Sequence, residues 1–507
     1  MARFSPDEQP EVFLSHRDIS HHVSRAVSEG RLRKLGPRLY TPNVNDDPSD
    51  VVGRNRWQIV ALLFPGAVVS HRTALEGQPA PDGSVFLTGT YDRLVELPGL
   101  TVSLRKGPGP LDGDQAFVGR LWMASEARAF LEVLAPSRAR RTVSRGLARP
   151  EVEDRLERKL RQGGPEALNR IRDRAREIAE QLGREPELRI LDELIGTLLG
   201  TRDARLEAPV ARARARGEPW DGDRVEMFQG LFGTLRGQEL PLRPDDVRRE
   251  DFRHLSFYDA YFSNYIEGTE FEVEEAAAIV FEGAVPEART EDAHDVLGTF
   301  RLISRRDLMG TGSREVEGPE EFLDRLRTYH GRMLAQRPAT LPGRFKDIPN
   351  RAGATVFVAP DLVRGTLRQG LALLGGLESA LARAIFVSVL IAEVHPFRDG
   401  NGRMARVMMN AELISRGERR IVIPIGYRDD YLSALRAFSR QGRTDPVVQM
   451  FDRAQQFTAE LDFSHWDGVR SRLTSCGAFG DPDSTRLRLP SELGLATRNP
   501  RTGEPLQ

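Results

Sequence analysis

The chain has one cysteine, Cys476, among its 507 residues. A lone thiol can form neither an internal disulfide framework nor a cysteine-based zinc site, and a reducing, cytoplasmic setting is expected. No sign of charge dominates: Lys and Arg number 73 against 74 Asp and Glu, a formal net charge of −1. That balance excludes a global pull toward nucleic acid or an anionic membrane, so any such binding must come from a local patch. Long apolar runs are also missing. The most apolar window, LARAIFVSVLIAEV at 381–394, carries Arg383 and Glu393 and is too short for a bilayer, which predicts a buried core helix. The opening MARFSPDEQPEVF has no basic-then-apolar signal architecture, so neither secretion nor membrane insertion is expected. No repeat of fixed period is present.

A chain of this length exceeds one ordinary core, and its character changes along the sequence. The reading is mainly α, in four parts. Residues 1–120 mix short helices and strands, with a helical run near 15–27, two short strands in EGRLRKLGPRLYTP, and a strand at SVFLTGT (84–90). Residues 121–245 form an arginine-rich helical connector, because Glu and Arg interleave at helix-surface spacing in EDRLERKLRQ and RIRDRAREIAEQL. Residues 246–465 are helical again, interrupted by a hairpin within 339–359. Residues 466–507 are polar and turn-rich, which predicts an extended tail.

The densest chemistry lies in HPFRDGNGRMAR, 395–406. Pro396 ends the apolar helix, and Phe397 is placed to plug the core. Gly400-Asn401-Gly402 permits a tight turn whose amides sit at the start of the next helix, a ready site for a polyphosphate. Arg403 and Arg406, three apart, can reach one anion. Asp399 offers a hard oxygen to Mg²⁺. His395, at the mouth, is placed to accept a proton from an attacking hydroxyl. The bland reading, a helix cap beside a structural histidine, does not explain so many such groups in one string.

This string resembles the Fic signature, His-x-Phe-x-(Asp/Glu)-Gly-Asn-Gly-Arg-x-x-Arg, at every fixed position, and the similarity extends over about 250–460. The resemblance implies a helical core with a β-hairpin flap in LPGRFKDIPNRAGATVFVAPDLV, and transfer of AMP from ATP to Ser, Thr or Tyr hydroxyls of protein targets. It makes His395 the general base and Asp399 the Mg²⁺ ligand. It gives Gly400, Asn401 and Gly402 to the α- and β-phosphates, Arg403 to phosphate oxygens, Arg406 to the γ-phosphate, and Tyr431 to the neighbourhood of the adenine. The flap, around Ala352, Gly353, Ala354, Thr355 and Val356, would pair with the target's backbone. Two positions depart from the pattern: Lys346-Asp347 replaces the usual Arg-Thr start of the flap, and Ser439 stands where an asparagine is expected.

Upstream, SNYIEG at 263–268 ends a helical stretch at Gly268 and resembles the family's inhibitory motif, (Ser/Thr)-x-x-x-Glu-(Gly/Asn). Ser263, Glu267 and Gly268 fill its fixed positions. Glu267 would pair with Arg406 and keep that arginine from the γ-phosphate. Residues 1–100 resemble the winged-helix region of AbiEi-type antitoxins, in which Arg31, Arg33, Lys34 and Arg38 would meet DNA phosphates. Three readings stay open: a regulated protein adenylyltransferase; a deAMPylase or other nucleotide or phosphoryl transferase on the same fold; and a DNA-binding regulator with a nucleotide-sensing Fic domain. His21, His22, His71 and His330 lack metal-ligand spacing and are expected to be structural or surface residues.

Overall fold

A computed structural model describes residues 4–137, 143–245, 249–481 and 484–506. Positions 1, 246 and 507, where expected boundaries fall, lie outside the described residues. The chain forms two compact units, Met1–Gly217 and Glu218–Gln507.

The first unit opens on a small antiparallel sheet. Strands β1 (Phe13–Leu14), β2 (Arg33–Gly36) and β3 (Leu39–Thr41) stand in the order β1-β3-β2, with helix α1 (Ser20–Ser28) between β1 and β2. A six-stranded sheet follows. Its strands are β4 (Val68–Val69), β5 (Ser84–Gly89), β6 (Arg93–Leu97), β7 (Leu100–Lys106), β8 (Gln115–Ala116) and β9 (Trp122–Met123), ordered β6-β7-β5-β4-β9-β8. Helices α2 (Glu126–Leu134), α3 (Arg149–Leu182), α4 (Glu185–Leu198) and α5 (Pro209–Ala215) share their own core. Leu156, Leu160, Leu168, Ile171 and Ile178 form the buried stripe of α3, which breaks at Gly164 (φ 67°), just before Pro165.

The expected 121–245 connector is therefore not one element. Its first part builds the core of the first unit. Its last helix, α6 (Gly222–Arg236), buries Phe228, Leu231 and Leu235 in the second. Arginines such as Arg158, Arg170, Arg176 and Arg236 are exposed, and sequence spacing alone does not show which core each inner face joins.

The second unit is helical: α6, α7 (Arg249–Ile266), α8 (Thr290–Ile303), α9 (Pro319–Met333), α10 (Val363–Leu373), α11 (Ala380–Val394), α12 (Asn401–Ile414), α13 (Arg428–Gln441), α14 (Asp445–Ala459) and α15 (Trp466–Ser475), with shorter turns between them. Every residue of α11 except Ala392 is buried, as an all-round apolar helix requires. Its main packing partner is α12, which begins after the 395–400 loop. The hairpin is shorter than expected: β10 (Arg351–Ala352) pairs with β11 (Thr355–Val356). The expected extended tail is also corrected, since α15 is a helix and Cys476, Ala478, Leu487 and Leu489 join the core. Polar composition hid a few anchoring apolar side chains. Among the described residues, no helix is long and apolar enough to cross a membrane.

Close packing leaves no space beside Gly298 on α8, where a Cβ would lie 2.2 Å from the Met333 carbonyl oxygen at the end of α9. Gly298→Ala is expected to destabilise this unit by about 1–3 kcal/mol, read as a lower urea midpoint. An unchanged midpoint would contradict this packing.

Candidate active site

The 395–402 loop is fixed by its own atoms. His395 ends α11 in the left-handed region (φ 51°), where a non-glycine residue carries strain. Asn401 closes the loop: its Oδ1 accepts from the Phe397 N–H at 2.7 Å and its Nδ2 donates to the Phe397 carbonyl at 2.8 Å. Phe397 is fully buried and stacks on His330 at 3.7 Å. His330 Nδ1 accepts from the Gly343 N–H, so its Nε2 donates to the Asp399 carbonyl at 3.1 Å. The reading of His330 as structural therefore stands, and it braces the loop. The side chain of Asn401 is committed to clasping the loop. The first-turn amides of α12 have no intrahelical acceptor.

His395 Nδ1 lies 3.0 Å from the Ala392 carbonyl. A carbonyl only accepts, so Nδ1 carries the proton and Nε2 keeps its lone pair. The ring of Phe357, the residue after β11, stacks on the imidazole at 3.7 Å with 4° between planes. Burial pushes the His395 pKa down to about 4. Lys346, itself lowered to about 8 by burial, opposes the imidazolium further. The departures at the flap's start hold it to the loop. Lys346 donates its backbone N–H to the Pro396 carbonyl at 2.8 Å, and Asp347 takes a forked pair from Arg398 at 2.7 and 2.8 Å.

Arg406 is 3% exposed and its donors are met on three sides. Nε donates to Ser263 Oγ at 2.9 Å, Nη1 to the Tyr431 hydroxyl at 3.2 Å, and Nη2 to the Ser263 carbonyl at 2.9 Å and Glu267 Oε1 at 2.7 Å. The motif forms because α7 ends at Ile266 and Gly268 takes φ 93°, folding Glu267 back over the site. The carboxylate lies against Gly402, where a Cβ would be 2.2 Å from Glu267 Oε1.

Arg403 does not share an anion with Arg406. Its Nη1 pairs with Asp295 of α8 at 2.8 Å and reaches Asn264 Oδ1 at 3.1 Å. Tyr431 is buried against Arg406. The Asp399 side chain is 46% exposed, and its Oδ1 accepts from the Gly400 N–H at 2.7 Å. Among the described residues no cluster of three or more His, Cys, Asp or Glu side chains could hold a metal. One accessible carboxylate beside helix-start amides that lack an intrahelical acceptor fits Mg²⁺, which takes its remaining ligands from phosphate and water.

A cavity of about 670 Å³ brings together His395, Gly402, Arg406, Tyr431, Glu267 and the flap residues Ala352, Gly353 and Thr355. Asp399, Gly400, Asn401, Arg403, Ala354 and Val356 do not line it. Phe357, Glu393 and Ser439 do, and sequence reading gave no role to the first two. The only sequence hint of Phe357 is the apolar TVFV run in an otherwise polar flap.

The four N-terminal basic residues do not form one free edge. Arg31 pairs with Glu29, Arg33 donates to the Asp46 and Val44 carbonyls, and Arg38 Nε donates to the Ser15 carbonyl at 2.9 Å. Lys34 lies on β2 with its side chain exposed.

The sequence model of the Fic/DOC family matches residues 322–413. The protein adenylyltransferase fic-1 of Caenorhabditis elegans is 26% identical over 235 residues, 45% of this chain and 45% of its own length. The protein adenylyltransferase Fic of Nematostella vectensis is 24% identical over 244 residues, 47% of this chain and 54% of its own length. The chain thus spans about half the length of the curated relatives it matches. A solved Fic domain containing signaling protein from Bacteroides thetaiotaomicron aligns with a TM-score of 0.36 at 18% identity, covering 46% of this chain and 92% of that one.

With its pKa near 4, His395 is neutral at physiological pH, and the base form is lost only as pH falls toward that value. In nucleotide-free protein its Cε1–H resonance, assigned by its disappearance in His395→Ala, is expected to stay fixed from neutral pH to about pH 5. A midpoint near the ordinary 6.5 would show that the imidazole is not desolvated as described.

Proposed function

We propose that the chain, whose residues 322–413 match the sequence model of the Fic/DOC family, is a protein adenylyltransferase, restrained by Glu267, that moves AMP from ATP to a Ser, Thr or Tyr hydroxyl of another protein. The observation that carries this reading is the position of the Glu267 carboxylate. It sits on Arg406 and against Gly402 at a helix start, in the cavity that His395 lines. An acidic side chain there occupies the place where helix amides and a guanidinium favour a polyphosphate.

With Glu267 withdrawn, Arg406 pairs with the γ-phosphate, and the first-turn amides of α12 hold the α- and β-phosphates. Asp399 is the residue that would hold Mg²⁺, which supplies charge neutralisation on the phosphates when bound. The target's hydroxyl oxygen attacks the α-phosphorus, its proton passes to His395 Nε2, and the bond to the pyrophosphate oxygen breaks. Asn401 and Arg403 act indirectly, the first by closing the loop and the second by tying α12 to Asp295. The flap at 352–356 holds the target backbone so that its hydroxyl meets the imidazole.

Incubation with ATP labelled at its α-phosphate tests the proposal. Glu267→Gly is expected to raise protein labelling by roughly tenfold or more, since each 1.4 kcal/mol of relieved restraint is a factor of ten. Adding His395→Ala should return labelling to background. Equal labelling by wild type and Glu267→Gly would remove the restraint. No transfer by any form, in cell lysate or to the chain itself, would remove the transferase reading.

A further inference from the structure

We propose that Arg224 is a positioning residue for this reaction, latching the flap over the catalytic imidazole by tying the Val356 carbonyl to Glu393. The inference rests on the transferase reading of the site.

Arg224 lies in the first turn of α6, whose start is held in two ways. The Asp221 side chain accepts from the Arg224 N–H at 3.2 Å, and the Asp221 N–H donates to Thr366 Oγ1 at 2.9 Å. From this anchor the guanidinium, 12% exposed, forks, one nitrogen toward α11 and α13 and the other toward β11. Nη1 pairs with Glu393 of α11 and reaches Ser439 Oγ of α13 at 3.4 Å. Nη2 donates to the Val356 carbonyl at 2.8 Å. Ser439 completes the knot by donating to Glu393 Oε2 at 3.2 Å. Burial pushes the Glu393 carboxyl up while Arg224 and Ser439 oppose that shift, so the carboxylate depends on its partners.

The hairpin register shows why the contact acts on the flap. Ala352 faces Thr355 and Arg351 faces Val356, while the Phe357 N–H donates to the Asn350 carbonyl at 3.3 Å. In an antiparallel ladder hydrogen-bonded and open pairs alternate, so the Val356 carbonyl points away from β10. Arg224 meets that outward oxygen. The next side chain, Phe357, points to the opposite face and lies flat on His395. One residue step thus joins the Arg224 tie to the ring covering the base. On the other side, Lys346, Asp347 and Asn350 fasten the flap's lead-in to the 394–398 segment, Asn350 Nδ2 donating to the Phe397 carbonyl at 2.9 Å. A hairpin with two paired residues per strand is marginal alone, so its outside ties decide where it rests.

The bland alternative is an ion pair that merely staples α6 to α11. The two differ in what Lys can replace. Lysine supplies the charge that Glu393 needs, but its single ammonium lacks the guanidinium's fork to a second element.

The test uses the full chain carrying Glu267→Gly, with Arg224→Ala and Arg224→Lys added separately. Hydrogen–deuterium exchange over 351–357 is expected to quicken about tenfold in both variants, while exchange in the interior of α11 stays slow. Labelling of the chain itself from α-labelled ATP should fall about tenfold, with the ATP dissociation constant changed less than about twofold, because no phosphate contact is removed. Arg224→Lys should keep the parent's thermal midpoint without restoring the flap. Should the alanine variant fail to fold, the lysine variant alone decides. Unchanged flap exchange in a folded variant, or full recovery of exchange and labelling by lysine, overturns the latch. A parent that labels neither itself nor any protein of a cell lysate overturns the transferase reading instead, and the exchange result still judges the tie.

Discussion

A guanidinium buried as deeply as Arg406 must have its charge met, and the site is organised around what meets it. Removing its acidic partner would leave that buried charge uncompensated, at a cost that the partner's own contact with solvent reduces below that of a fully buried pair. Glu267 meets the guanidinium from the solvent side, its side chain 33% exposed. An incoming anion has to replace it, and the same donors that hold the carboxylate can hold a phosphate. Ser263 and Tyr431 keep the guanidinium aimed in either case, because their bonds to it do not involve Glu267. In the proposed function the restraint and the substrate compete for one cation, and the remaining contacts preserve its direction.

That cation stays in place because the helices beneath it are packed without slack. α11 is buried on all sides and α12 lies against it, so the loop between them has two rigid ends. Within the loop the polar groups are spent locally. Asn401 closes the turn and His330 props the Asp399 carbonyl, while Phe397 fills the core below. His395 is then held in a strained backbone conformation with one ring nitrogen committed to Ala392 and the other left available. Preorganisation of this kind puts the reorganisation cost into folding, ahead of the chemical step.

Much of this was legible in the sequence, for identifiable reasons. The apolar 381–394 window, the proline after His395 and the glycines at 400 and 402 are local signals, and local backbone chemistry decides them. SNYIEG was legible because a helix must stop at Gly268. What escaped reading depends on residues distant in the chain. Nothing near Arg403 announces Asp295, and nothing near Glu393 announces Arg224. Arginine-rich helices look solvated whether or not one arginine turns inward, which hid both the inward turn of Arg224 and the assignment of 222–236 to the second unit. The tail reads as extended because its composition is polar, whereas a few scattered apolar side chains, Val469, Leu473, Leu487 and Leu489 among them, seat it on a core.

The bare α-carbon at Gly402 has a consequence for how this chain can change. The vacancy it leaves is only a methyl group wide and is taken by the Glu267 carboxylate; in the proposed function it has two successive tenants, that acid at rest and a nucleotide at work. A single added carbon would evict both. Loss of control and loss of chemistry are therefore coupled at that position, and drift toward an unrestrained form must run through the end of α7, leaving the glycine untouched.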